Sequence, residues 1–292
     1  MKSILRAASV AAPLALALGA VAAPAQASPQ SPATAAAAPA PAPGVPAFDF
    51  AKDCPPLPAG IDPSLGMCMQ MVVTGGTMKL GGLGQTITQP MRITVQSVQA
   101  DASSPSEFTS VSLAGKPMTV PGGVLGLLGL NVPGLDGLPF NKVQVQPKYT
   151  GGFSFDLPNA GLEMKIKIIN DAVGKGCSIG SKKDPVKLNL GVDLGQISVV
   201  DEGDVNDTFH HPPVLHTPAS DTAFAVPRTS GCGLFGPVID WKAGLPSASG
   251  QNSASFDTYL ALATYAPPSP AAVQRKAKQD PIQRLRDLRI GR

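Results

Sequence analysis

The chain contains 292 residues, of which 43% are hydrophobic, 5% aromatic and 15% charged, with 31 glycines and 31 prolines. This composition is typical of short strands joined by many turns and does not suit a helical bundle. The net charge is +3, but Lys2 and Arg6 contribute +2 and the tail 266–292 contributes +5, which leaves about −4 for the body. Because nucleic-acid-binding domains carry a basic excess, we expect no nucleic-acid partner.

Residues 1–27 are predicted to form a secretory signal peptide. Lys2 and Arg6 precede an apolar run at 7–23, and Ala25-Gln26-Ala27 has the small residues of a cleavage site. No later apolar run reaches the roughly 18–20 residues that a transmembrane helix needs, so no transmembrane segment is expected. The sequence therefore predicts a secreted protein that is extracellular or associated with the cell surface.

Three further regions follow the signal peptide. Residues 28–47 are rich in alanine and proline, which predicts an extended, disordered spacer. Residues 48–266 are predicted to form the folded body. In the basic tail, 267–292, Ile282, Leu285 and Leu288 recur at helical spacing among arginines; the tail is expected to be disordered or to form a short helix that contacts an anionic surface.

Alternating apolar and polar residues dominate the body. The alternating segments are 67–71, 93–96, 143–146, 153–156, 163–168 and 186–190, and glycine-rich turns lie between several of them. A period of two places one face of each strand inward and the other outward. The sequence therefore predicts an all-β fold, an antiparallel β-sandwich, with two packed β subdomains divided near residue 174 as the alternative, and one short helix near 234–245.

The segment 121–139 shows no alternation and carries almost no charge, because leucines recur in it with glycines between them. The preferred interpretation is an apolar cover over one end of the sandwich. Two alternatives stay open: an exposed apolar loop that meets lipid or wall polymer, and the lining of a pocket for an apolar ligand.

The four cysteines of an exported chain favour two disulfides, for which three connectivities exist. The pairing Cys54–Cys68 is the simplest because these two lie close in sequence, and it leaves Cys177 with Cys232. On the chain-entropy estimate such loops contribute about 3 and about 4 kcal/mol to stability. A cysteine metal site is disfavoured because no C-x-x-C pair is present.

Two stretches invite a chemical interpretation. Residues 176–180 match the G-x-S-x-G pattern of serine hydrolases, but Ser178 follows a cysteine predicted to form a disulfide, and a strand rather than a helix is predicted next; no catalytic residue is assigned. The acidic stretch 201–216 is interpreted as a solvated loop, with no cofactor. Imidazoles and carboxylates there leave a transition-metal site as a weak alternative, with the candidates His210, His211, His216, Asp204 and Asp207.

Much of the body resembles, in the order and spacing of its motifs, a family of secreted actinobacterial proteins to which no activity is assigned. The matching segments are VTGGTMKLG at 73–81, ITQPMRIT at 87–94, LAGKPMTVPGGVLGL at 113–127, CSIGS at 177–181, PVKLNL at 185–190, FAVP at 224–227, GCG at 231–233 and GLPSASGQN at 244–252. The family's cysteines fall in two pairs at these positions, which implies the same disulfides here. The acidic stretch after Leu190, the long spacer and the basic tail depart from the family pattern.

These observations leave three functional hypotheses. The first is a non-enzymatic structural or binding protein of the cell envelope, with envelope polymer or lipid as the partner. The second is a carrier of an apolar ligand or lipid that uses the 121–139 segment as lining or cover. The third is a secreted hydrolase, which the surroundings of Ser178 disfavour.

Overall fold

The computed structural model describes residues 44–124, 141–204, 207 and 209–266. Thirteen strands belong to one sheet, and every pairing within it is antiparallel. The predicted all-β fold and the short helix near 234–245 are therefore confirmed. The strands are β1 Gly66–Leu80, β2 Leu83–Thr86, β3 Met91–Val98, β4 Glu107–Gly115, β5 Met118–Thr119, β6 Gln144–Asp156, β7 Asn159–Ile169, β8 Ser178–Ile179, β9 Val186–Val192, β10 Ser198–Asp201, β11 Val214–Asp221, β12 Thr229–Ser230 and β13 Ser253–Thr264; the helices are α1 Phe50–Asp53 and α2 Gly236–Ala243.

Strands β7 and β9 show why alternation predicts this fold. In β9, Val186, Leu188 and Leu190 are buried while Lys187 and Asn189 between them are exposed. The same period buries alternate residues along β7. Because successive side chains of a strand point to opposite faces, each strand contributes one apolar face to the interior of the sheet.

The sheet curls so that its two ends meet. Its path runs β6-β7-β9-β11-β13-β1-β3-β4. At the ends, the rings of Phe108 on β4 and Phe153 on β6 lie 5.1 Å apart, and the Gln146 amide donates a hydrogen bond of 2.5 Å to the Gly115 carbonyl. The inner face consequently surrounds one large hydrophobic core, to which β1, β3, β7 and β9 all contribute.

A second, smaller core lies on the outer face of the sheet. The segment that contains α1 covers β1, β11 and β13 there, and Phe50 packs against Val214 and Ala261. Arg92 on β3 donates hydrogen bonds to Asp53, to Gln70 and to the Ala47 carbonyl, which holds this segment in place. Strand β1 is therefore buried on both faces over residues 68–73, and alternation does not describe it.

Both predicted disulfides are present. Cys54 bonds to Cys68 and attaches the outer segment to β1, while Cys177 bonds to Cys232 across a sequence separation of 55 residues. The second bond joins the turn before β8 to the turn that leads into α2. Residue 174, where a subdivision is the predicted alternative, lies between β7 and β8, which pair with each other in the same sheet.

Several predicted regions lie outside the described residues. They are the signal peptide 1–27, the spacer up to residue 43, residues 125–139 of the apolar segment, and the tail 267–292. Within the described ranges, no helix combines the length and apolar character needed to cross a membrane.

Candidate ligand-binding cavity

A cavity of about 370 Å³ lies inside the curled sheet, between β1, β2 and β3 on one side and β6 and β7 on the other. It is lined by inward-facing side chains, which are apolar because these strands alternate. The strand residues that line it include Val73, Met78, Leu80, Leu83, Met91, Ile93, Leu113, Val145, Leu162, Met164, Ile166, Ile168 and Phe256. The volume falls within the range of about 300–1,000 Å³ typical of small-molecule sites.

The described part of the 121–139 segment borders this cavity. Pro121 and Val124 are among the lining residues, and so is Val120 just before the segment. Val124 is held there by a hydrogen bond of 2.9 Å from its N–H to the Asn141 carbonyl. The cavity therefore lies where the pocket-lining interpretation of this segment requires one.

Only three of the described lining residues have polar side chains: Gln85, Asn170 and Lys242. Asn170 is engaged in its turn, because its Oδ1 accepts from the Ala172 N–H at 2.8 Å. The Gln85 Nε2 donates to the Thr86 carbonyl at 2.7 Å, whereas its Oε1 is buried and has no hydrogen-bond partner within the described part of the chain. The described lining therefore offers few polar groups to a ligand.

The apolar lining decides which occupant is favoured. Apolar side chains that face an unfilled space lack packing partners on that side, which lowers stability. Water occupies such a site poorly, since a buried water needs about two to four polar partners and few are present among the described lining residues. An apolar ligand would supply the missing contacts.

Helix α2 and the residue before it close one end of the lining, to which Phe235, Val238, Ile239 and Ala243 contribute. The Thr229 N–H donates to Asp240 Oδ1 at 2.8 Å, and the Gly82 N–H donates to the Ala243 carbonyl at 2.7 Å. The approach at the second contact requires glycine at position 81, because φ is +60° there and a β-carbon would lie 2.3 Å from the Ala243 oxygen. The C-terminal half of the helix is thus held against β12 and against the turn after β1.

Ser178 does not form a hydrolase site in the structure. It lies on β8, is only 2% exposed, and its hydroxyl donates to the Gly180 carbonyl at 2.8 Å. The strand-to-helix elbow that exposes a nucleophilic serine is missing here, since β8 is followed by a turn and then by β9. The hydroxyl is used to hold the turn after Cys177.

The three histidines pair with three different carboxylates. His210 lies 2.8 Å from Asp207, His211 lies 3.1 Å from Asp201, and His216 on β11 lies 2.5 Å from Asp257 on β13. The hydrogen bond from His210 lowers the pKa of Asp207. Among the described residues, no group of three or more potential ligands could hold a metal ion, so the five weak candidates of the acidic stretch are not brought together as a ligand set.

The cavity itself has no counterpart in a sequence motif. Alternation predicts that the residues that line it belong to the core, and the only signal for a pocket in the sequence is the apolar segment that begins at Pro121. No protein family model, no curated protein and no solved structure matches the chain. The functional interpretation therefore depends on the geometry and chemistry of the cavity.

Proposed function

We propose that the protein is an exported, non-enzymatic carrier that holds the aliphatic chain of a lipid or similar apolar ligand inside the curled sheet. The observation that carries this proposal is the cavity, with about 370 Å³ of volume and three polar side chains among its described lining residues. A protein with only a structural role in the envelope gains nothing from unfilled apolar volume, which lowers its stability. The carrier is therefore favoured over the purely structural alternative.

Export is the second part of the proposal. The predicted signal peptide supports it, and so do the two disulfides, because disulfides persist mainly in oxidising compartments outside the cytosol. An exported carrier is useful where an apolar molecule must cross an aqueous space. The buried, hydrogen-bonded hydroxyl of Ser178 argues against the hydrolase hypothesis.

The first experiment identifies the bound ligand. The mature protein, purified without detergent from a host that exports it, is extracted with organic solvent and the extract is analysed by mass spectrometry. We expect an aliphatic molecule at close to one equivalent per chain. A protein that carries no extractable ligand, and that binds no fluorescent fatty acid or fatty alcohol at micromolar concentration, would refute the carrier function.

A matched pair of variants locates the ligand. Val145 and Val111 are both partly buried valines that pack against the main core, but only Val145 lines the cavity. We expect Val145→Phe to fill part of the volume and weaken fatty-ligand binding at least tenfold, with Val111→Phe near the affinity of the wild type. Equal effects of the two substitutions would show that the ligand lies elsewhere.

A further inference from the structure

The large apolar side chains that are exposed in the described part of the chain all lie on one short segment. They are Leu234 at 94% exposure, Trp241 at 74%, Phe235 at 47% and Val238 at 46%. We call these four residues the docking face. Scattered exposed apolar residues are ordinary, but a contiguous group of them marks an interaction surface.

The docking face is exposed because contacts on the opposite side of the helix hold it in this orientation. Leu234 lies in the 3₁₀ turn Gly233–Phe235 that leads into α2, and Val238 and Trp241, three residues apart, lie on one side of the helix. The opposite side is held inward, because Asp240 accepts the Thr229 N–H and Ala243 is buried against Gly82. Cys232, just before the segment, is fixed by its disulfide to Cys177. The helix cannot turn its apolar side inward without breaking these contacts.

The surroundings of the docking face are basic, although the body as a whole carries about −4. The neighbouring turns supply exposed cations. Lys175 lies between two glycines that contact Gly231. The Arg228 carbonyl accepts the Gly180 N–H, which brings Arg228 next to the turn that carries Lys182 and Lys183. Lys242 lies on the helix itself, with Nζ 4.6 Å from the centre of the Trp241 ring. Over the segments 170–176, 180–185 and 227–244, these five cations outnumber the three acids, which are Asp171, Asp184 and the buried Asp240.

An exposed tryptophan and leucine, with lysine and arginine on the neighbouring segments, is the side-chain combination that binds at a bilayer surface. Tryptophan is favoured at the level of the lipid headgroups, leucine in the adjoining acyl region, and basic side chains near anionic headgroups. The same segment also lines the cavity through Phe235 and Val238. A lipid surface in contact with the docking face would therefore lie next to the ligand site.

We propose that the docking face binds the surface of an anionic lipid bilayer and that the ligand is exchanged between cavity and membrane at helix α2. The exchange step rests on the proposed carrier function. The docking step depends only on the exposed apolar residues and on the basic residues of the neighbouring segments. A second copy of this chain is the competing occupant of the docking face, and the experiment below distinguishes the two.

Trp241 is the only tryptophan of the chain, so its fluorescence reports on the docking face specifically. The full mature protein is mixed with vesicles of phosphatidylcholine alone or of phosphatidylcholine with phosphatidylglycerol. We expect a blue shift of the emission and quenching by brominated acyl chains with the anionic vesicles, both weakened by salt. Fluorescence is preferred to co-sedimentation because the tail 266–292, with its net charge of +5, could attract anionic vesicles by itself.

Matched variants test the apolar and the basic parts separately. Leu234 is nearly fully exposed and does not line the cavity, so its substitution should leave fold and ligand site intact. We expect Leu234→Ser to weaken vesicle partitioning at least fivefold and Leu234→Ile to preserve it. Arg228→Gln should weaken partitioning to anionic vesicles about threefold, while Lys187→Gln on β9, at an exposed lysine paired with Glu163, should not.

Two results would overturn the proposal. One is an unchanged Trp241 spectrum in the presence of anionic vesicles. The other is a blue shift that depends on protein concentration without lipid, which would assign the docking face to contact between copies of the chain. Ligand binding is measured in the absence of vesicles, and Val145→Phe should lose ligand but retain docking, so failure of the docking proposal is distinguishable from failure of the carrier function.

Discussion

Lengthening an aliphatic ligand by two methylene groups should tighten its binding to the cavity roughly 15-fold until the cavity is full. Each buried methylene contributes about 0.8 kcal/mol, so two contribute about 1.6 kcal/mol, and 1.4 kcal/mol corresponds to a factor of ten in the dissociation constant. The gain stops where added methylenes no longer fit within the volume of about 370 Å³. Beyond that length the affinity should level off or fall, because the excess chain stays in water.

The assay is displacement of a fluorescent fatty ligand by a series of straight-chain alcohols that differ by two carbons. The alcohols avoid a charged end group, which would be costly to bury among apolar side chains. Val145→Phe reduces the volume and should move the plateau to a shorter chain, whereas Val111→Phe should leave it unchanged. An affinity that rises steadily with chain length in the wild type and in both variants would indicate adsorption to a surface, and the cavity argument would then be wrong.

Three further predictions concern the stability of the fold. Replacing Cys177 and Cys232 together by alanine should lower the free energy of unfolding by about 4 kcal/mol, which is the chain-entropy value for a loop of 55 residues. Urea unfolding measures this change, and an unchanged midpoint would show that the bond contributes nothing. Ser178→Ala removes one buried hydrogen bond and should cost about 1 kcal/mol without affecting ligand affinity; loss of a measured hydrolytic activity would contradict the structural role of this serine. Hydrogen bonds from Ser103 and Ser104 lower the pKa of Asp101 to about 2, so their stabilising effect is full above the unfolded pKa near 4 and is lost as pH falls toward 2. The carboxyl resonance of Asp101 should titrate near pH 2 in the wild type and higher in Ser103→Ala, and equal midpoints would disprove the assignment.

Alternation predicts those strands whose two faces meet different surroundings. It identifies β7 and β9 because their inner residues line the core and their outer residues meet water. It is less informative for β1, where residues 68–73 are buried on both faces under a segment that precedes the strand in sequence. The cysteine spacing predicts the correct partner for Cys68. No local pattern predicts that a folded segment around Phe50 covers the outer face, because this cover depends on tertiary packing.

The cavity was less predictable than the strands around it. An inward-facing valine such as Val145 has the same sequence pattern whether the interior is filled or hollow. The difference depends on how far apart the curl of the sheet holds its two halves, which is a property of all the strand pairings together. Helix α2 illustrates the same limit, since the sequence around Trp241 predicts a helix but does not indicate that its apolar side faces outward.

That outward orientation links the cavity to the docking face. A helix of eight residues has little stability by itself, so α2 depends on its contacts with the sheet. Those contacts use Asp240, Ala243 and the turn after Cys232, and they leave Leu234 and Trp241 exposed. The apolar surface of these two side chains therefore stays in contact with water and contributes nothing to the stability of the chain. A sequence selected only for stability would carry polar residues at these two positions. Contact between the helix and lipid would account for their apolar character. Because other residues of the same segment line the cavity, contact with lipid and exchange of an apolar ligand would take place at one site.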